Sequence, residues 1–489
     1  MSADTQHDPP EAARKSSQRL NPCDYFMLVL DHVVRGQGLP GNVTVFRIDV
    51  AGLIDVDRLA MAIGRLHGQH PLLGARLEKR WPWRYRWIDV RFPPDLGVPV
   101  PAADDDPRTD RIRSDRVTQD LLVDNVVHRE LARGFDLFHE PPIRYRLIPG
   151  ENRSSLIVAF HHALLDGKGF ELLLVRLNEL YNRSESPEPH ASACAITPSQ
   201  ADPPDAFAAL KSKLTLRERF RRFLRARRFA VERNRIAAFR WEVSEGEAFS
   251  TAGKSRKLKH AARGGVVQRV IRVRFDEEQS RRIAELATEL CGFGQVSAYY
   301  MVAASRALAA VAERHGRRAE VLRIPLSVNL RKAGGDGPMI GNHLTFIELL
   351  LREDELADRT RLAASIQTQY KGAIREGRDV DMMCALEAGK LLRLDRYAAK
   401  RALPDGSEPF SLYVADLGET DRRLDTFLDA PLLEHLPATT FPPETGIGVI
   451  FAKTAGRIVA TSVHATPPVA HEVADDFAEI LRDELLGSE

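Results

Sequence analysis

His161-His162-Ala163-Leu164-Leu165-Asp166-Gly167 is the stretch on which the reading of this chain turns. Upstream, Leu156 to Phe160 is a short apolar run of the kind that forms a buried strand. Downstream of Gly169, residues Phe170, Leu173, Leu174, Leu177 and Leu180 recur at helical spacing. The histidines therefore fall where a strand gives way to a loop that opens a helix, a rigid mount for reactive side chains. An unprotonated imidazole can take a proton from a hydroxyl or amine near neutral pH. Asp166, four residues on and beside a glycine, is better placed to brace the loop than to act as a second base. No third ligand lies nearby at zinc spacing, so no metal site is expected.

Other segments extend the pattern. Leu20-Asn21-Pro22-Cys23-Asp24 opens the ordered chain, and Leu53 to Leu77 ends in His70-Pro71-Leu72-Leu73-Gly74-Ala75-Arg76-Leu77. Gly134-Phe135-Asp136-Leu137 precedes Pro141-Pro142-Ile143-Arg144. In the second half come Ile324-Pro325-Leu326-Ser327-Val328-Asn329-Leu330-Arg331 and Ile340-Gly341-Asn342-His343. Taken with HHxxxDG, these resemble, in order, the signatures of the CoA-dependent acyltransferase superfamily. That superfamily includes chloramphenicol acetyltransferase, plant BAHD enzymes, condensation domains of nonribosomal peptide synthetases, polyketide-associated acyltransferases and wax ester synthase/diacylglycerol acyltransferases. Two elements depart from it. The stretch matching a "VNDxxLA" helix start reads Val296-Ser297-Ala298-Tyr299-Tyr300-Met301, and the late "SNxG" or "DFGWG" element reads Ala415-Asp416-Leu417-Gly418.

The resemblance implies two chloramphenicol-acetyltransferase-like α/β sandwich subdomains meeting at an interface tunnel, with the histidine loop midway along it. It implies an acyl group passing from a CoA thioester to an alcohol, with lipid-like acceptors included. A free-standing condensation enzyme using a carrier-protein-bound donor to form an ester or amide is the alternative, and a catalytically silent docking or scaffold member is a third. No resident cofactor is implied, since acyl-CoA or acyl carrier pantetheine is substrate. By the resemblance, His162 is the general base, His161 shapes the loop, Asp166 pairs with Arg331, and Gly167 permits close approach of backbone or pantetheine. The oxyanion of the tetrahedral intermediate needs a donor. Candidates are Ser327, Asn342 and backbone amides.

Composition sets bounds. A chain of 489 residues with 44% hydrophobic content exceeds what one core usually supports. The net charge of +2 argues against a nucleic-acid partner. Cys23, Cys194, Cys291 and Cys384 are far apart and read as reduced thiols of a cytoplasmic protein. Residues 1–18 read as a disordered tail without an export signal. Residues 19–185 form the expected N-terminal subdomain, a Ser-, Pro- and Ala-rich linker covers 186–210, and 211–489 form the C-terminal subdomain. Expected helices lie near 55–68, 112–132, 169–181, 277–290, 296–314, 354–376 and 470–485.

Two segments invite sharper readings. Residues 211–235 hold eleven Lys or Arg against Glu218 and Glu232, with Leu216, Phe220, Phe223 and Leu224 at helical spacing. Three readings stand side by side: a helix packed through its phenylalanines with a solvated basic face, a peripheral contact with anionic membrane, or a dock for an acidic carrier protein or the phosphates of CoA. In Trp81-Pro82-Trp83-Arg84-Tyr85-Arg86-Trp87, alternation puts the aromatics on one strand face, for core packing or for lining an acceptor site.

Overall fold

The computed structural model describes residues 17–80, 84–98, 115–183, 205–241, 266–332, 337–404, 406–466 and 468–487. The histidines end the strand Arg153–His161, which is buried from Ser154 to His161. Such continuous burial is why it reads as an apolar run rather than an alternating one. It lies inside a six-stranded sheet whose spatial order is Thr426–Phe427, Ala430–Thr439, Val43–Ala51, Arg153–His161, Ile143–Ile148 and Leu96–Gly97. Helix Gly167–Asn182 then folds back onto that sheet. Its Phe170, Leu173 and Leu177 join Phe46, Val158 and Phe160 in one core, where full burial of each such side chain stabilises by about 1.5–3 kcal/mol.

The C-terminal half has its own four-stranded sheet, in the order Tyr413–Glu419, Ile447–Thr454, Arg457–Thr466 and Val267–Arg274. Helices Val296–Arg314 and His471–Leu486 supply a core with Leu308, Val311, Phe451 and Phe477. The strands Val321–Asn329 and Leu344–Arg352 form an antiparallel ribbon that carries Ser327 and leads into Arg331 and Asn342. The molecule is thus an α/β protein of two subdomains, with a cavity of about 1170 Å³ lined by residues of both.

The simple partition at 186–210 does not hold. Ala430–Thr439 comes from the C-terminal half yet pairs antiparallel with Val43–Ala51, matching Pro437 with Phe46 and Thr439 with Thr44. Its prolines, Pro431 and Pro437, argue against a central strand. Pro437 is accommodated because the strand on its other side, Thr426–Phe427, pairs with Ala430 and Pro431 and stops short of it, and Pro431 falls at the start of its own strand. The expected tail is shorter than 1–18, since Ser17–Arg19 pairs with Arg84–Asp89. The expected linker ends early, because Asp205 caps a helix over Ala206–Lys211. Cys23, Cys291 and Cys384 are buried, whereas Cys194 lies outside the described residues. Trp87 is core, and Trp81 and Trp83 also lie outside the described residues. No helix of the described residues is long and apolar enough to cross a membrane.

Candidate active site

The geometry starts at helix Pro22–Gly36. Asn21 and Asp24 form a capping box: Asp24 N donates to Asn21 Oδ1 at 2.8 Å, and Asn21 N to Asp24 Oδ2 at 3.0 Å. This leaves Asp24 Oδ1 facing the second half of the chain, where it accepts from Asn342 N at 2.7 Å and Asn342 Nδ2 at 3.0 Å. Burial raises the Asp24 pKa from 3.8 to about 6 against these hydrogen bonds.

Asn342 fixes His162. Its Nδ2 donates to the His162 carbonyl at 2.7 Å as well as to Asp24, so both amide hydrogens are used. Its Oδ1, 3.1 Å from His162 Nδ1, therefore accepts. That assigns the imidazole proton to Nδ1 and leaves the Nε2 lone pair unprotonated. Burial lowers the pKa of His162 below the ordinary histidine value, favouring the neutral ring. His162 lines the cavity.

His161 points the other way and is fully buried. Its Nδ1 accepts from Ala163 N at 3.0 Å, and its Nε2 lies 3.1 Å from Asp31 Oδ1. Asp31 also accepts from Asn42 N at 2.8 Å, and Asn42 O accepts from His162 N at 3.0 Å. His161 thus pins the loop through Asp31 and Asn42 and does not reach the cavity.

Asp166 is saturated. Oδ1 accepts from Gly169 N at 2.8 Å, capping helix Gly167–Asn182, and from Arg331 Nη2 at 2.9 Å. Oδ2 accepts from Arg331 Nη1 at 2.8 Å and His343 N at 2.8 Å. Four donors occupy a carboxylate's four acceptor positions, so Asp166 is a brace rather than a base. Arg331 is far from a solvated loop arginine: its side chain is 3% exposed, and its Nε donates to Pro338 O at 3.0 Å. The two halves are further tied where Gly341, at φ +97°, donates its N–H to Leu164 O at 2.8 Å.

Gly167 and Ser327 both line the cavity. Asn342 does not serve as an oxyanion donor: its backbone N–H and both amide hydrogens are committed to Asp24 and His162. The two stretches that departed from the family pattern meet, because Ser297 Oγ donates to Asp416 and both residues line the cavity. Asn21, Asp24, Asp31 and Asn42 went unassigned from sequence. The Asn21-Pro22-Cys23-Asp24 spacing is a readable capping box, but its link to Asn342 spans 318 residues and leaves no local trace. A wall of near-parallel rings, Phe46, Phe160, Phe170 and His435, was also missed. Among the described residues no group of three or more His, Cys, Asp or Glu is arranged to hold a metal ion.

No family model matches the sequence. A 90-residue stretch is 33% identical to a nonribosomal peptide synthetase of Arthrobotrys oligospora, spanning 18% of this chain and 2% of that protein. Solved structures match along the whole chain. The first condensation domain of the CDA synthetase is 14% identical with a TM-score of 0.63, over 96% of each chain. The trichothecene 15-O-acetyltransferase of Fusarium sporotrichioides is 9% identical with a TM-score of 0.64, over 97% of this chain and 96% of that one. Polyketide synthase associated protein 5 from Mycobacterium tuberculosis is 15% identical with a TM-score of 0.59, over 96% and 98%. The chain has the two-subdomain α/β fold of these structures, condensation domains among them.

Proposed function

We propose that the chain is an acyltransferase that moves an acyl group from a CoA thioester to an alcohol, with His162 as general base. The observation that carries this is the His162 tautomer: with Nδ1 held by Asn342, the basic Nε2 is the ring nitrogen left to serve an acceptor in the cavity. The acceptor hydroxyl gives its proton to Nε2 as its oxygen attacks the thioester carbonyl. The tetrahedral oxyanion then collapses, the C–S bond breaks, and the departing thiolate takes the proton back from His162. Ser327, on the cavity wall, is the side-chain donor proposed for the oxyanion. Asp24, Asn342, Asp166 and Arg331 position the loop. The pantetheine thioester is substrate, and the proposed donor places the reaction in the cytoplasm.

The silent-member reading is disfavoured by the neutral, tautomer-locked His162 beside a large cavity. A carrier-protein donor has a specific observation behind it, the stretch shared with a nonribosomal peptide synthetase. One experiment separates the two donors: thiol release from acyl-CoAs, short to long, with pooled alcohol, amine and diacylglycerol acceptors, beside the His162→Ala variant. Acceptor-dependent release that the variant lacks is expected. Release only from a loaded carrier would transfer the reaction to the condensation class, and full turnover by His162→Ala would overturn the mechanism.

A further inference from the structure

We infer that helix Leu216–Arg233 seats the protein on an anionic lipid surface and holds the rim of the cavity against it. The inward side of this helix packs on the rest of the chain. Arg222 Nη1 and Arg225 Nη2 reach Asp381 Oδ1 at 3.0 and 2.7 Å, and Phe223 packs into a core shared with Met383 and Leu386. Of its phenylalanines Phe223 packs inward, but Phe220 is turned out among other exposed apolar side chains. Leu216, Phe220, Leu224 and Val231 are 76%, 61%, 43% and 50% exposed. The first three follow each other at four-residue spacing, and Val231 continues the same stripe two turns on. Arg217 and Arg221, one residue beyond Leu216 and Phe220, and Arg228, seven residues after Arg221, form an exposed cationic row along it.

Charge decides the kind of partner. The chain carries a net charge of +2, yet this helix alone sets eight arginines against two glutamates. A row of large apolar side chains flanked by arginines on a convex helix suits a planar bilayer with anionic headgroups, where the apolar face enters the acyl boundary and the cations stay outside. The stripe also continues inward: Val231 belongs both to the exposed row and to the cavity wall, next to Phe223, Ala226 and Ala230. A hydrophobic acceptor leaving the bilayer would reach the cavity along this lip without crossing water. The seating itself is independent of the acyl transfer; only this last step, a membrane-derived acceptor, rests on the proposed function.

The test uses the full-length protein and sedimentation with vesicles of phosphatidylcholine, with and without phosphatidylserine. Binding to the anionic vesicles alone, weakened by salt, is expected. The pairs Phe220→Ser with Leu224→Ser, and Arg217→Gln with Arg221→Gln, should each reduce it roughly tenfold or more. Both pairs alter exposed side chains, so an unchanged melting midpoint checks the fold. His162→Ala should bind as the native chain does, which separates failure of docking from failure of acyl transfer. Absence of anionic-vesicle binding, or binding indifferent to both pairs, would overturn the inference. So would a dimer lost in the serine pair, or carrier-dependent turnover lost in either pair without vesicle binding; these would reassign the face to a second copy or a protein partner.

Discussion

Asn342 holds His162 at two points: its Oδ1 lies 3.1 Å from the ring Nδ1, and its Nδ2 lies 2.7 Å from the same residue's carbonyl oxygen. One amide therefore sets both the protonation pattern of the ring and the position of the backbone that carries it. Asn342→Ala should lower kcat on the order of 10–100-fold while KM changes little, because a positioning partner is lost and substrate contacts are kept. A KM effect alone would place Asn342 in substrate binding.

Asp24 stands one step further back. Asp24→Asn replaces an acceptor of two Asn342 hydrogens with a group able to rotate a donor toward them. Steady-state kinetics should show a kcat loss in the same direction as Asn342→Ala, and the double variant should lose less than the product of the two. Independent, multiplicative losses would break the proposed chain from Asp24 to His162.

The pH profile follows from burial of His162. Its pKa lies below the ordinary histidine value, and the neutral ring is the reactive form. The acid limb of kcat/KM should therefore fall at a pH below that expected for a free histidine, leaving a plateau through neutrality. A midpoint above the ordinary histidine value would contradict the assignment.

Stability against acid has a worked sign. Burial pushes His67, His435 and His464 from 6.5 to about 4, so the unfolded chain binds more protons between those values. Their contribution is full above 6.5 and is lost as pH falls toward 4. Asp24 opposes them: raised from 3.8 to about 6, it contributes below 3.8 and loses that contribution as pH rises to 6. Glu408 and His343, both raised, act with Asp24, while Asp31 and Asp421, lowered to about 2, act with the histidines, so the melting midpoint should drop on acidification. His435→Phe, which keeps the stacking on Phe46 and Phe170, should flatten that drop.

Breaking the Asp166–Arg331 pair should be costly. Arg331→Met leaves a carboxylate that is 2% exposed without its bidentate partner, at about 3–5 kcal/mol in chemical denaturation. The neighbouring glycines should respond differently. A Cβ at Gly169 would fall 2.3 Å from the Met339 carbonyl oxygen, a backbone atom, so Gly169→Ala should destabilise. A Cβ at Gly167 meets the movable Leu417 Cδ2 at 2.7 Å and borders the cavity, so Gly167→Ala should fold and raise KM.

Local patterns were legible where one face or one cap decided them. Helical spacing after Gly169 led to the helix that Asp166 caps, and the reading over 296–314 coincides with Val296–Arg314. Helix Pro22–Gly36 was missed because Tyr25, Met27, Leu28 and Val29 are all buried and blur its period. Helix Arg378–Gly389 was missed for another reason. Its Asp381 is buried among arginines of a helix far away in sequence, so its polar letters suggest a surface it does not have. The site divides likewise. The residues of HHxxxDG could be read in one place, whereas the Asp31 and Asp24 supports exist only through tertiary contact.

The return of Ala430–Thr439 to the N-terminal sheet has a consequence for any attempt to cut the molecule in two. A fragment ending near residue 205 would lose one of the two partners of Val43–Ala51 and bare a long row of unpaired backbone donors and acceptors beside Val45, Phe46 and Ile48. Such a fragment would be adhesive rather than autonomous. Neither half is a portable module, and the last strand of the first sheet arrives only after most of the polypeptide has been synthesised.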